Sequence, residues 1–167
     1  MRLSDDGKNQ FETAYSKYAD MMYRIALSHM TRREDAEDVV HDAFIKYVQS
    51  WPSFSDDDHE RAWLIRVTVN RCRDLLRRRS IRRYVAFDEI EEIPADEEPY
   101  EGQGIIATVS TLPDKYKSVI ILHYLEGYSV EQCASILGLS ESAIKMRLSR
   151  GRDMLKKTLE KEGHHVR

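Results

Sequence analysis

Residues Tyr128 to Lys157 read Tyr-Ser-Val-Glu-Gln-Cys-Ala-Ser-Ile-Leu-Gly-Leu-Ser-Glu-Ser-Ala-Ile-Lys-Met-Arg-Leu-Ser-Arg-Gly-Arg-Asp-Met-Leu-Lys-Lys. Ser129 and Gln132 have the spacing of a capping box, in which the hydroxyl accepts from an early helical amide while the glutamine reaches back. A helix therefore starts there. It stops at Gly138, because glycine takes the positive φ of a helix end without a Cβ penalty. Ser140 caps a second helix, with Leu139 before the cap and Ile144 inside it as a hydrophobic staple. Two short helices about a glycine turn make a helix-turn-helix, and small Ala134 sits where they cross.

The second helix has two faces. Ile144, Leu148, Leu155 and Leu159 recur at helical spacing and point to a core. Lys145, Met146, Ser149 and Arg152 lie on another side, flanked by Arg147 and Arg150. Long basic side chains reach phosphates or guanine, and a small hydroxyl serves either role, so this face suits a major groove. An ordinary helical hairpin with a solvated face has similar periodicity. The caps, the small crossing residue and the basic outer face together favour DNA binding.

The rest of the chain surrounds this module with charge of two kinds. Its 167 residues allow one domain or two small ones; 41% apolar residues support compact cores, and 33% charged residues with few Gly and Pro suit an all-helical chain. The net charge of −3 excludes a uniformly basic nucleic-acid binder. From Arg61 to Arg83, however, nine arginines face a single acid, Asp74, whereas Asp88 to Glu101 holds eight acids and no basic residue. One block can hold nucleic acid and the other repels it. Cys72 and Cys133 fall inside predicted helices without metal-type spacing and read as reduced core thiols; no metal or cofactor is expected. The N-terminus lacks an apolar signal core and no run approaches the roughly 20 apolar residues of a span, so a cytoplasmic chain without membrane insertion is expected.

Upstream, helices are predicted over 8–30, 34–50 and 59–79. The first carries an apolar stripe of Phe11, Tyr15, Tyr18, Met22 and Ile25. The second buries Ala36, Val40, Ala43 and Tyr47. Its Asp35, Asp38 and Asp42 align on an exposed side, where they offset the helix dipole or offer a docking face to a basic partner; nothing nearby completes a metal cage. Pro52 breaks the chain after this helix, and Trp51 and Phe54 either anchor the loop to the core or stack on unpaired bases. The third helix turns Ile65, Val69, Cys72 and Leu76 inward. Arg66, Asn70, Arg73 and Arg77 share a four-three-four spacing on another face, a ladder of donors suited to a phosphate backbone or base edges. The acidic run with Pro94, Pro99, Gly102 and Gly104 reads as a linker. Helices over 104–111 and 114–126 follow, the latter with Tyr116, Val119, Ile120 and Tyr124 inward, and Gly163 to Arg167 reads as a frayed tail. The expected fold is all-α: two small helical domains, 8–80 and 105–162, joined by a flexible acidic linker, 81–104, the C-terminal domain holding the helix-turn-helix.

The sequence Asp35-Ala36-Glu37-Asp38-Val39-Val40-His41-Asp42-Ala43-Phe44, then Ala62-Trp63-Leu64-Ile65-Arg66-Val67-Thr68-Val69-Asn70-Arg71-Cys72-Arg73-Asp74, then Leu112-Pro113 and the helix-turn-helix, resembles an extracytoplasmic-function sigma factor of bacterial RNA polymerase, in the sigma-70 family. The resemblance covers roughly residues 10 to 160. It implies a non-enzymatic initiation factor whose region two binds the polymerase clamp helices and opens and reads the minus-ten element. Region four would bind the flap and read the minus-thirty-five element. Carried over by position, Asp35, Asp38, His41 and Asp42 would contact polymerase; His41 replaces the usual amide and Asp42 the usual glutamate. Trp63, Arg66, Asn70, Arg73 and Arg77 would hold minus-ten DNA, and the Trp51 to His59 loop would form part of the pocket for a flipped base. Lys145, Met146 and Ser149 match base-facing positions of the minus-thirty-five helix, with Met146 in place of a commoner small polar residue. Arg147, Arg150 and Arg152 match backbone-positioning ones. The resemblance also implies an anti-sigma factor as a partner.

The competing expectation is an autonomous helix-turn-helix transcription regulator with an N-terminal sensor. A sensor needs neither the Arg66 to Arg77 ladder nor the acidic stripe. A recombinase-like enzyme would need a nucleophile framed by arginines, and Tyr84 beside Arg82 and Arg83 falls at the linker boundary.

Overall fold

The computed structural model describes residues 3–85, 104–161 and 163. Those residues are helical throughout, with no strand among them: α1 (Asp5–His29), α2 (Arg33–Ser50), α3 (Asp57–Val85), α4 (Gly104–Ser110), α5 (Asp114–Ile120), α6 (Val130–Leu137) and α7 (Glu141–Lys161). The acidic run lies outside the described residues, as does the expected frayed tail apart from Gly163.

Helices α1, α3, α6 and α7 start where a side chain accepts an orphan amide, whereas α2 and α5 start without a side-chain cap. Ser4 Oγ accepts from the Gly7 amide at 3.2 Å, so α1 begins ahead of its apolar stripe. Asp56 does the same for His59 at 2.8 Å, starting α3. Helix α2 ends at Trp51, whose φ of 39° is left-handed, uncommon for a bulky side chain. The following Pro52 disfavours the right-handed conformation there. The Trp51 ring packs edge-on to Tyr47, with centroids 5.8 Å apart, and lies where a Cβ on Gly7 would come within 3.3 Å of it. Helix α3 runs to Val85, past the expected end near Arg79, because its arginines are good helix formers and nothing before Val85 breaks it.

Three long helices, α1 to α3, enclose Met22, Ile25, Val39, Tyr47, Leu64 and Ile65, all 1% exposed or less. The shorter helices α4 to α7 enclose Val109, Val119, Ile121, Leu122, Cys133 and Ile144. Both sets belong to one contiguous apolar cluster: the C-terminal end of α1 rests on α4 and α5, and α3 on α6. Two expected core residues are not core. Tyr15 is half exposed, although its ring still touches Phe44 at 5.0 Å. Tyr124 is also half exposed, because α5 widens into a π-turn over Ile121–Leu125 and the extra residue per turn carries Tyr124 off the buried register. Gly151 of α7 is buried against α5, where an added Cβ would lie 3.0 Å from Ile120 Cδ1, so that any side chain there requires the Ile120 side chain to shift.

Candidate nucleic-acid interface

The helix-turn-helix has the local geometry its sequence predicts. Ser129 Oγ accepts from the Gln132 amide at 3.1 Å while Gln132 Oε1 accepts from the Ser129 amide at 2.9 Å. Gly138 has φ 68°, and Ser140 Oγ accepts from the Ala143 amide at 3.1 Å. With Ile144 and Leu148 buried, α7 turns Lys145, Met146, Ser149, Arg150 and Arg152 to solvent. Arg147 points elsewhere: its Nη1 donates to the Lys115 carbonyl at 3.2 Å and ties α7 to α5.

Helix α3 presents its ladder differently. Arg66, Asn70, Arg73 and Arg77 are exposed along one side. Arg77 pairs with Asp74 at 3.2 Å, and Arg66 Nε donates to the Ile136 carbonyl of α6 at 3.1 Å. Trp63 is half buried, packed edge-on to Tyr47 and Phe54 with centroids about 6 Å apart. Two arginines outside the ladder face α2 instead. Arg71 pairs with Asp42 at 2.8 Å and Arg79 with Asp35 at 2.7 Å. Two carboxylates of the acidic stripe are therefore already neutralised within the protein, and Asp38 and His41 remain exposed beside Glu34, Glu37 and Ile45. Sequence reasoning placed these acids on one face and missed that two of them point at α3. The signal was present in Arg71 and Arg79, eight residues apart on a helix.

Between the start of α1 and the α2–α3 loop lies an open cavity of about 560 Å³, lined by Asn9, Gln10, Thr13, Trp51, Phe54 and Glu60 among others. The loop aromatics anchor the loop to the core, Phe54 stacking on Tyr47 at 6.0 Å, and Trp51 and Phe54 also line the cavity. Tyr47 donates to Glu60 Oε1 at 2.6 Å, and burial together with that carboxylate pushes the phenol above its ordinary range. A largely polar cavity that also holds the aromatic side chains of Trp51 and Phe54 has the chemistry to take an unstacked base. The contribution of the α1 N-terminus was not legible, since nothing in Asn9, Gln10 and Thr13 singles them out.

These surfaces define a class: an all-helical DNA-binding protein with one donor-rich helix on each of two packed modules. Comparison with known proteins makes the assignment narrower. The model of Sigma-70 region 2 matches residues 14–82 and that of Sigma-70, region 4 matches residues 103–155. The chain is 30% identical to the RNA polymerase sigma factor CnrH of Cupriavidus metallidurans, covering 95% of this chain and 91% of that one. It is 29% identical to the ECF RNA polymerase sigma factor SigE of Mycolicibacterium smegmatis over 87% of its own length, and spans 60% of the length of that relative. The sigma factor RpoE of Bartonella quintana, solved in complex with the anti-sigma factor NepR, superposes with a TM-score of 0.70 at 25% identity, covering 94% of this chain and 98% of that one. The chain belongs to the sigma-70 family and is an RNA polymerase sigma factor of the ECF type. Among the described residues, no helix is long and apolar enough to cross a membrane.

Proposed function

We propose that this protein acts in the cytoplasm as a non-enzymatic initiation factor whose two modules, 8–80 and 105–162 with 81–104 between them, divide promoter recognition. The observation that carries the reading is the exposed donor ladder of α3 in a chain of this family. Arg66, Asn70, Arg73 and Arg77 engage the minus-ten element. Trp63 supports them from the aromatic cluster, and the cavity beside Trp51 and Phe54 receives a base extruded from the non-template strand. Lys145, Met146 and Ser149 read the minus-thirty-five element. Arg150 and Arg152 hold its backbone, and Arg147 holds α7 at its angle. The long-range field of the acidic stripe steers docking on the clamp helices. In that surface Asp38 and His41 make the direct contacts, while Asp35 and Asp42 orient α2 against α3; region four meets the flap. The Bartonella quintana neighbour is bound to an anti-sigma factor, and a partner of that kind is proposed here too.

The test is addition of the purified protein to core RNA polymerase with run-off transcription from a promoter-fragment library. Initiation that core alone cannot perform, from fragments sharing two spaced elements, is the expected result. Tight site-specific DNA binding without polymerase binding would return the chain to the autonomous regulator.

A further inference from the structure

The seam between the two modules contains a buried titratable cluster. His29, the last residue of α1, has a side chain only 2% exposed. Its Nε2 lies 2.9 Å from Ser118 Oγ, and its Nδ1 lies 3.6 Å from Asp114 Oδ1, both on α5. Asp114 also holds the Lys117 ammonium at 3.1 Å, and Lys117 is itself 7% exposed. The exposed Arg73 of α3 adds a weaker positive field, and the neighbouring Cys72 is neutral, since burial pushes its thiol up to about 12. The imidazole thus sits among two cations and one carboxylate. A neutral ring fits: it accepts from the Ser118 hydroxyl at Nε2 and directs an Nδ1 proton at Asp114. A protonated ring adds a third positive charge where water does not reach.

The closed seam also engages one residue of the α3 ladder and two further arginines. Arg66 is bonded to the Ile136 carbonyl, Arg61 lies over the Tyr128 ring at 4.7 Å, and Arg24 of α1 pairs with Glu126 at 2.7 Å. These polar contacts ring the apolar contact of α1 with α4 and α5, so the charge state of the seam adds to or subtracts from that packing.

We propose that the α1–α5 seam at His29, Ser118 and Asp114 is a proton-sensitive latch that, when closed, keeps Arg66 bonded to α6 and so withholds that residue from the minus-ten element. The masking clause rests on the promoter-binding reading above; the latch itself does not. Burial, first, and the neighbouring Lys117 and Arg73 charges hold His29 below its ordinary value of 6.5 in the closed form, against the pull of Asp114. Opening returns the ring to solvent and to that ordinary value. The stabilisation of the closed form is therefore complete above pH 6.5 and is lost as the pH falls through the interval below it. Asp114 does not take part in the titration, because the His29 ring 3.6 Å away and the Lys117 ammonium hold its carboxyl at about 2.

Small-angle scattering of the whole chain between pH 8 and 5, with far-ultraviolet circular dichroism in parallel, tests the latch. A compact chain of this length has a radius of gyration of about 15 Å. The radius is expected to rise as the pH falls, with helicity retained, and the open fraction to grow by up to about tenfold for each unit separating the two pKa values. His29→Gln keeps a polar partner for Ser118 and removes the proton, so it is expected to stay compact across the range. Asp114→Asn removes the single facing carboxylate and is expected to move the transition to higher pH. A radius that does not change with pH, or His29→Gln expanding with the wild-type midpoint, overturns the latch. Binding of a single-stranded minus-ten oligonucleotide is expected to rise by the same factor as the open fraction. Expansion without that gain supports the latch and removes the assignment of Arg66 to DNA.

Discussion

Helices α3 and α7 are both rich in arginine and spend it in opposite ways. On α3, Arg71 and Arg79 neutralise carboxylates of α2, Arg77 pairs with Asp74, and Arg66 caps a carbonyl of the other module. On α7, only Arg147 is turned inward to a backbone oxygen, while Lys145 and Arg152 are exposed without an ion-pair partner among the described residues. The N-terminal module uses charge to fix the angle between α2 and α3. The C-terminal module fixes its angle with caps and close packing, and so leaves its charges free. A count of basic residues cannot distinguish these two economies; only their partners can.

The comparison is tested most severely by the acidic stripe. Asp38→Lys is expected to cost about 2–5 kcal/mol of core polymerase binding, at least ~30-fold, with the thermal midpoint unmoved because its carboxylate is exposed. Titration of labelled core polymerase reads this. Equal affinity would mean that the docking surface lies elsewhere, and a fall in the midpoint would mean that Asp38, too, is structural. On α7, Lys145→Ala is expected to cost about 1–3 kcal/mol at one minus-thirty-five base pair and to leave polymerase affinity unchanged. Transcription from promoters varied at each position measures it, and a uniform loss on every promoter would assign Lys145 to the backbone. The smallest effect belongs to the cap. Ser129→Ala removes one half of the capping box and is expected to lower stability by about 1 kcal/mol in thermal unfolding. No change would place the strength of this module in its packing rather than its caps.

Much of the fold could be read directly because its determinants are local. The caps at Ser129 and Ser140 and the turn at Gly138 involve residues three or four apart, and each appears in the structure as predicted. The inward faces of α2 and α3 followed from periodicity in the same way. What escaped depends on residues distant in the chain. His29 meets Ser118 across 89 positions, and Arg24 meets Glu126 across 102. No local pattern marks either pair. The π-turn escaped for another reason: it shifts the register within an otherwise regular apolar repeat, so Tyr124 reads as core when it is not. The exposed ladder of α3 was legible, but not which arginines beside it are bound internally, because α2 contributes the acids.

Gly151 has no side chain, and a Cβ placed there would meet the side chains of Ile120 and Tyr116. Yet it lies on the same rod as Lys145, six residues and about 9 Å further along. A larger side chain there presses on Ile120 and acts as a wedge between α5 and α7, and a wedge under one end of a rigid lever swings the other. A change at this buried point would therefore be read at a distance, in the pitch at which Lys145 and Ser149 approach a duplex.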